Sequence, residues 1–406
     1  MLKYRELDWK LIGAVLLLSL IGILLIMSAQ YHADNDTTRA YYERQLMWLG
    51  VALIVFAVVL HIPLRFFDFV TFLLYGAAIA LLIAVLFVGG SRSGSATRFF
   101  HFGSINLAPA DIAKLAVLFA LSRYFAYSKL PVASKRRLAI SALLTAIPMA
   151  LILKQPDMGT ALVFPVILFG LWFWSGLSPV YMLLIVSPLV SLVAASHWLA
   201  WALYFLVLLV VIFLFRPGAA FSFLTVVANL GFGMITPFIW NRLADYQRAR
   251  ILTFLDPGMD PRGAGYQIIQ SKIAVGSGGI WGKGFLEGSQ TRLDFLPERH
   301  TDFIFSVLGE EFGMWGSLLV IALFGFIFYR AVHIAARCRS SFASNVVMGG
   351  TFILLFQFFV NIGMTLGFMP VTGLALPFLS YGGTALVLSW MIVALIVSAD
   401  YHWQEY

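Results

Sequence analysis

The sequence predicts an all-α polytopic membrane protein, and three observations carry that reading. Of 406 residues, 61% are hydrophobic and only 11% are charged, whereas soluble domains carry about 25% charged residues. Mean hydropathy is +0.91. Apolar runs near the roughly 20 residues that cross a bilayer recur from one end of the chain to the other. A soluble fold of this length could not cover its surface with so few charges. Nucleic acid is not an expected partner: the formal net charge of +8 would suit a polyanion, but membrane topology accounts for much of it.

Windowed reading places spans at 11–28, 45–62, 67–88, 111–127, 138–153, 159–175, 179–196, 198–215, 219–240, 303–329, 346–368 and 380–400. The opening MLKYRELDWK and the apolar run to Met27 exceed a secretory h-region in length, so they read as an uncleaved first helix. Within 179–215 the only polar break is Ser196-His197, which leaves open a hairpin or one long kinked helix. Lys3, Arg5 and Lys10, then Lys129, Lys135, Arg136 and Arg137, then Arg330, Arg337 and Arg339 all fall on one side of a twelve-span chain. That side is expected to be cytoplasmic. The single cysteine, Cys338, excludes an intrachain disulfide and a Cys-based zinc cluster. The seven histidines show no metal-ligand spacing.

Residues 241–302 break the pattern as a long segment on the other side. Connections beyond about 12–15 residues tend to be functional or disordered, and this one mixes eight basic with seven acidic residues. Apolar pieces such as Ile268-Ile269 suggest that it folds against the membrane surface. The chemistry is expected here, in a single membrane domain spanning 1–406.

At its end, Glu298-Arg299-His300-Thr301-Asp302-Phe303 enters the next helix. Asp302 reads either as an N-cap or as a carboxylate that accepts a proton from an attacking hydroxyl; one oxygen could serve each role. Asp256-Pro257-Gly258 is a turn signal. Gly276, Gly278, Gly279, Gly282 and Gly284 suggest a flexible stretch whose N–H groups approach phosphate, without the Lys-Ser/Thr ending of a nucleotide loop. Gln155-Pro156-Asp157 reads as a helix break followed by an Asp cap. Arg98 precedes Phe99-Phe100, and Asp111 with Lys114 forms an i, i+3 pair near a span end, where a structural role is favoured. Gln357 and Asn361 share one helix face, which must meet protein or water. The run 368–384, with two prolines and Gly382-Gly383, cannot be a plain helix; it is expected to wall a cavity.

Taken in order, the stretches 98–114, 155–160, 256–303, Gly309-Glu310-Glu311 and 370–383 closely resemble the SEDS (shape, elongation, division, sporulation) family, over almost the whole chain. Thr372, where the division branch FtsW carries Lys, and Arg299 before His300, where FtsW usually has Ala, place the resemblance nearer the elongation branch, RodA. Phe99 stands where the family usually has Trp, and Ala108-Pro109-Ala110-Asp111 where it has Gln-Pro-Ser-Glu. The family core has ten spans, so twelve implies an extra transmembrane hairpin near 179–218.

The resemblance implies a peptidoglycan glycosyltransferase that polymerises lipid II at the outer face of the bacterial plasma membrane. Its implied partners are a class B penicillin-binding protein and the elongation machinery. Asp302 matches the family's essential Asp; Arg98, Lys114 and Glu298 match further motif positions. The expected reaction displaces polyprenyl diphosphate by a sugar 4-hydroxyl with inversion, with Asp302 as base. Arg98, Arg248, Arg250, Lys272 and Arg299 are candidates for the diphosphate, and a divalent cation, Mg2+ or Mn2+, is an option without an assigned site. The alternatives are a flippase for the lipid-linked precursor, since broken helices are a transporter habit, a scaffold, or the division-type FtsW paralogue.

Overall fold

The computed structural model describes residues 7–31, 41–88, 100–102, 105–242, 248, 256, 258, 265–292 and 295–402. Fourteen helices run through them: α1 Trp9–Gln30, α2 Tyr41–His61, α3 Leu64–Val88, α4 Pro109–Tyr127, α5 Lys135–Leu153, α6 Met158–Trp174, α7 Pro179–Ala194, α8 Trp198–Phe215, α9 Ala219–Arg242, α10 Tyr266–Gly278, α11 Ser289–Arg292, α12 Ile304–Arg337, α13 Ser341–Thr365 and α14 Gly383–Tyr401. One short antiparallel hairpin, β1 Phe100–Phe102 with β2 Ile105–Leu107, pairs Phe100 with Leu107.

Every predicted span is a helix: α1 to α9 and α12 to α14. Nine of the described helices are long and apolar enough to cross a bilayer, which makes this a multi-pass membrane protein. The other three are explained locally. α4 carries Asp111, Lys114 and Arg123, whereas α6 and α7 are apolar but have 17 and 16 residues. Helix starts follow their caps: Asp8 accepts from Leu11 N–H, Ser134 from Arg137 N–H, Asp157 from Thr160 N–H and Ser340 from Ala343 N–H. Asp157 is therefore the expected cap.

The stretch 179–215 is two helices, not one kinked helix. With α9 they form a side lobe whose apolar surface points outward; α8 buries only Leu208. A polar knot closes the lobe. Buried Asn229 donates to Ser187 Oγ at 2.7 Å and accepts from Tyr204 at 2.9 Å, while Ser191 donates to the Asn229 carbonyl at 2.8 Å. Such bonds hold helices together where apolar contact gives no preference over lipid.

The core proper gathers α1, α2, α4, α6, α12, α13 and α14. Trp390 of α14 is fully buried, edge-on to Phe56 and Phe378, and its indole N–H reaches Ser19 at 3.1 Å. α12 departs from expectation: it extends to Arg337, eight residues past the predicted span, and breaks at Gly313 (φ 63°). Its continuation sets Arg330 against Asp8 at 2.7 Å, so that arginine is a helix residue, not a loop residue. Helix ends alternate along the chain. Asp302, Ala29, Tyr41, Gln155 and Tyr381 collect at one end of the bundle, and Asp8, Arg137, Arg330 and Cys338 at the other.

Candidate active site

Asp302 lies in a turn that precedes α12, and the turn is wound around one residue. The N–H groups of Thr301, Asp302 and Phe303 all point at the Glu298 carbonyl, at 3.1–3.3 Å, with Glu298 itself at φ 52°. The N-cap reading of Asp302 does not hold. The cap position belongs to Phe303, and no side chain caps the helix there.

The backbone at Asp302 is held from outside the turn. Tyr381 N–H donates to the His300 carbonyl at 2.9 Å, Ser380 Oγ to the Thr301 carbonyl at 2.6 Å, and Asn361 Nδ2 to the Asp302 carbonyl at 2.9 Å. Three consecutive carbonyls are thus bound by groups 59 to 81 residues away in sequence. Asn361 is fully buried and also donates to the Leu374 carbonyl at 2.8 Å, so one amide ties the turn to the irregular 368–382 run. Gln45 of α2 holds that run from behind, donating to the Ser380 carbonyl and accepting from Gly382 N–H. The run is non-helical, as expected, and faces the acid: Asp302 Oδ2 lies opposite Gly373. The Gln155–Gly159 break packs against the same run, with no room for a side chain between Gly159 and the Thr372 carbonyl.

His300 stacks on Tyr41 with ring centroids 4.9 Å apart and lies 5.8 Å from Tyr381. Burial holds its pKa below the usual histidine value; neighbouring Glu298 opposes that and Arg299 reinforces it. The ring is therefore biased towards its neutral form.

The other predicted residues divide. Lys272 on α10 is exposed, with its side chain laid against Gly367, so it flanks the same run that Asp302 faces. Arg248 is half-buried and donates to the Trp240 carbonyl at 2.9 Å. Glu298 is exposed and accepts from Thr301 Oγ1 at 3.2 Å. Arg299 is buried and donates from Nε to the Ala29 carbonyl of α1 at 2.5 Å, which ties the turn before α12 to α1. Lys114 is likewise buried, paired with Asp111 at 2.8 Å, the structural pairing its position favoured. Arg98 and Arg250 lie outside the described residues.

The glycine run is a correction. Gly276 and Gly278 end α10, and the turn beyond is packed onto α12, not free for phosphate. An added Cβ at Gly278 would overlap the Gly309 carbonyl, and one at Gly282 (φ 80°) the Glu311 carbonyl. Three of its amides are already used: Gly282 N–H donates to the Gly278 carbonyl at 2.8 Å, and Lys283 N–H and Gly284 N–H donate to the Glu310 and Glu311 carbonyls at 3.0 Å.

Sequence reasoning counted Glu310 and Glu311 only towards the family resemblance, with no role assigned, and passed over Tyr41 and Gln45. Fully buried Glu310 gathers Lys283 Nζ at 2.8 Å, Gln290 N–H at 3.0 Å and Ser289 Oγ at 3.1 Å, and Glu311 pairs with Ser28 of α1. Two adjacent acids within an apolar helix were the available signal. Tyr41 and Gln45 gave none, because their partners are more than 250 residues away. For a divalent cation, no group of three or more His, Cys, Asp or Glu assembles among the described residues.

Comparison with known proteins places this geometry. The FtsW/RodA/SpoVE cell cycle protein family model matches residues 8–204 and 199–405. The peptidoglycan glycosyltransferase MrdB of Escherichia coli (strain K12) is 36% identical over 391 residues, covering 95% of this chain and 93% of that protein. The peptidoglycan glycosyltransferase RodA of Treponema pallidum (strain Nichols) is 33% identical, covering 97% and 98%. A chain from the structure of a peptidoglycan synthase complex that coordinates polymerization and crosslinking superposes with a TM-score of 0.72 at 28% identity, covering 98% of this chain and 99% of that one. The chain belongs to the FtsW/RodA/SpoVE cell cycle protein family, among its peptidoglycan glycosyltransferases of the elongation type.

Proposed function

We propose that the chain polymerises lipid II into glycan strands at the extracytoplasmic face of the bacterial plasma membrane during cell elongation, with Asp302 as general base. The observation that carries the assignment of Asp302 is the triple anchoring of carbonyls 300–302, which sets one carboxylate at a fixed place where the 241–302 segment meets the 368–382 run. A preorganised group needs little rearrangement in the transition state.

The chemistry asks for one such group. Lipid II offers an α-linked anomeric carbon on a polyprenyl diphosphate. Attack by a 4-hydroxyl forms the β glycosidic bond, breaks the bond to the diphosphate and delivers the hydroxyl proton to the base. One inversion needs one displacement, and the diphosphate leaves as a stable anion without a protonating acid. Positive charge on its oxygens lowers the barrier; Lys272 and Arg248, with Arg98 and Arg250, are the candidates. Arg299, through the Ala29 carbonyl, positions the turn that carries Asp302. A Mg2+ or Mn2+ ion, held by Asp302 or Glu298 beside the diphosphate, would neutralise the same developing charge. The basic residues of the opposite end supply the orientation, since Lys and Arg favour the cytoplasm. A class B penicillin-binding protein is the partner that would crosslink the strands, in line with the synthase complex that the fold resembles.

The test compares wild type, Asp302→Asn and Asp302→Ala, purified with the cognate class B partner, on labelled lipid II by glycan-strand gel. Loss of a general base costs about 10²–10⁴ in rate, so polymer is expected from wild type alone, with thermal stability and partner binding unchanged. Full polymer from Asp302→Ala would assign the base elsewhere. Repeating the wild-type reaction in EDTA, then restoring Mg2+, decides the cation.

A further inference from the structure

At the end of the bundle away from Asp302, helices α4, α5, α6, α12 and α13 border an open cavity of about 320 Å3. Two guanidinium groups line it, Arg137 and Arg339, with Ser175, Ser341 and Asn345, and none of its lining residues is acidic. Arg137 is the telling member. It is only 7% exposed, donates from Nη1 to the Leu130 carbonyl at 3.1 Å and from Nη2 to the Phe125 carbonyl at 3.5 Å, both neutral acceptors, and stacks 5.2 Å from the Phe125 ring. Its Nε is shielded from solvent and has no hydrogen-bond partner, and neither has the Ser175 hydroxyl. Among the described residues no carboxylate pairs with Arg137, and a buried cation without a counter-charge is costly. α13 also begins on this cavity, at Ser341. Ser340 caps only the Ala343 N–H, and the 25-residue helix turns its positive dipole end towards the space. The neighbouring cavity, lined by Arg123 and Tyr127, differs in kind: Arg123 is matched by Asp68 at 3.4 Å.

We propose that the Arg137 cavity binds a phosphate-bearing anion, either the headgroup of an anionic phospholipid in the adjoining leaflet or free phosphate. Two guanidinium groups and a helix N-terminus converge on it, and phosphate oxygens accept charge-assisted bonds from all three. Basic pockets between membrane helices at this depth suit anionic headgroups.

Native mass spectrometry of the full-length protein in neutral detergent tests this, with dioctanoyl phosphatidylglycerol, dioctanoyl phosphatidylcholine and inorganic phosphate as probes. Phosphatidylglycerol is expected to bind in preference to phosphatidylcholine. Arg339→Gln and Arg137→Gln should each weaken it about tenfold, the loss of one charge-assisted contact. Displacement of phosphatidylglycerol by inorganic phosphate would identify free phosphate as the ligand; persistence would identify the lipid. Arg137 also supports the backbone at Leu130, so exposed Arg339→Gln decides the matter if Arg137→Gln does not fold. Equal binding of both lipids, unchanged by Arg339→Gln, overturns the proposal.

Discussion

Replacing Asn361 with alanine separates positioning from chemistry at the active site. The amide donates at 2.9 Å to the Asp302 carbonyl and at 2.8 Å to the Leu374 carbonyl, and the alanine removes both bonds. In a dry interior a released carbonyl costs about 1–3 kcal/mol, but between membrane helices the average is nearer 0.6 kcal/mol, because released groups find other partners. Two bonds then lower stability by about 1–3 kcal/mol, which a folded protein tolerates. The kinetic loss is larger. Asn361 is the anchor that holds the Asp302 carbonyl itself, together with the run at Leu374, and a displacement of about 1 Å costs about 100-fold in rate. Initial polymerisation rates across a lipid II series, with thermal unfolding measured on the same preparation, should show kcat down about 100-fold and KM little changed. Gln357→Leu, one turn earlier on the same face, is the control and keeps its rate. Asn361→Ala polymerising at the wild-type rate, or losing activity only in proportion to folded protein, would refute the reasoning.

Three further outcomes follow from other parts of the site. Glu310→Ala strands the Lys283 ammonium and should cost about 3–5 kcal/mol, as for one half of a buried pair; adding Lys283→Met should recover part of the loss in a thermal-shift assay, and no recovery would argue against the pair. Gly282→Ala places a methyl on the Glu311 carbonyl at φ 80° and should abolish a monodisperse peak in size-exclusion chromatography. Gly276→Ala, in open space within α10, should be neutral or gain up to about 1 kcal/mol. For His300 the folded pKa lies below 6.5, so the unfolded chain takes up the proton first. Stability is full above pH 6.5 and is lost as pH falls from 6.5 towards the folded value. Unfolding midpoints measured from pH 7.5 down to 5.5 should fall less for His300→Phe than for wild type; parallel curves would show that His300 is not the titrating group.

The helices were legible because each is an apolar run interrupted by polar or turn residues, and hydropathy reports that directly. The ends were less so. Hydropathy stops where the lipid stops, but the α12 backbone continues through Arg330 and His333 to Arg337, held by Asp8. Asp302 could be singled out by its place at a helix start, yet its cap reading failed for the same reason: position suggested a local role, whereas the turn around Glu298 moves the cap to Phe303. The glycines between 276 and 284 looked like a ligand loop because composition shows freedom of the backbone without showing what crowds it. What crowds it is α12, about 30 residues on. Arg299 resisted in the same way, since nothing in the sequence around it points to a carbonyl 270 residues earlier.

The acid is held by groups from both halves of the chain. Arg299 reaches back to α1, His300 stacks on α2, Gln45 of α2 holds residues 380–382, and Asn361 comes from α13. The segment they hold has almost no regular structure of its own, so the place of the carboxylate is set by the packing of the bundle. A shift of α1 or α2 relative to α13 is thereby transmitted to Asp302. The two substitutions at this site should therefore differ in kind. Asp302→Asn removes the proton acceptor from a site still in place, and no repacking restores it. Asn361→Ala leaves the acceptor but loosens its anchor, so its deficit should shrink under conditions that stiffen the bundle, such as lower temperature, while that of Asp302→Asn should not.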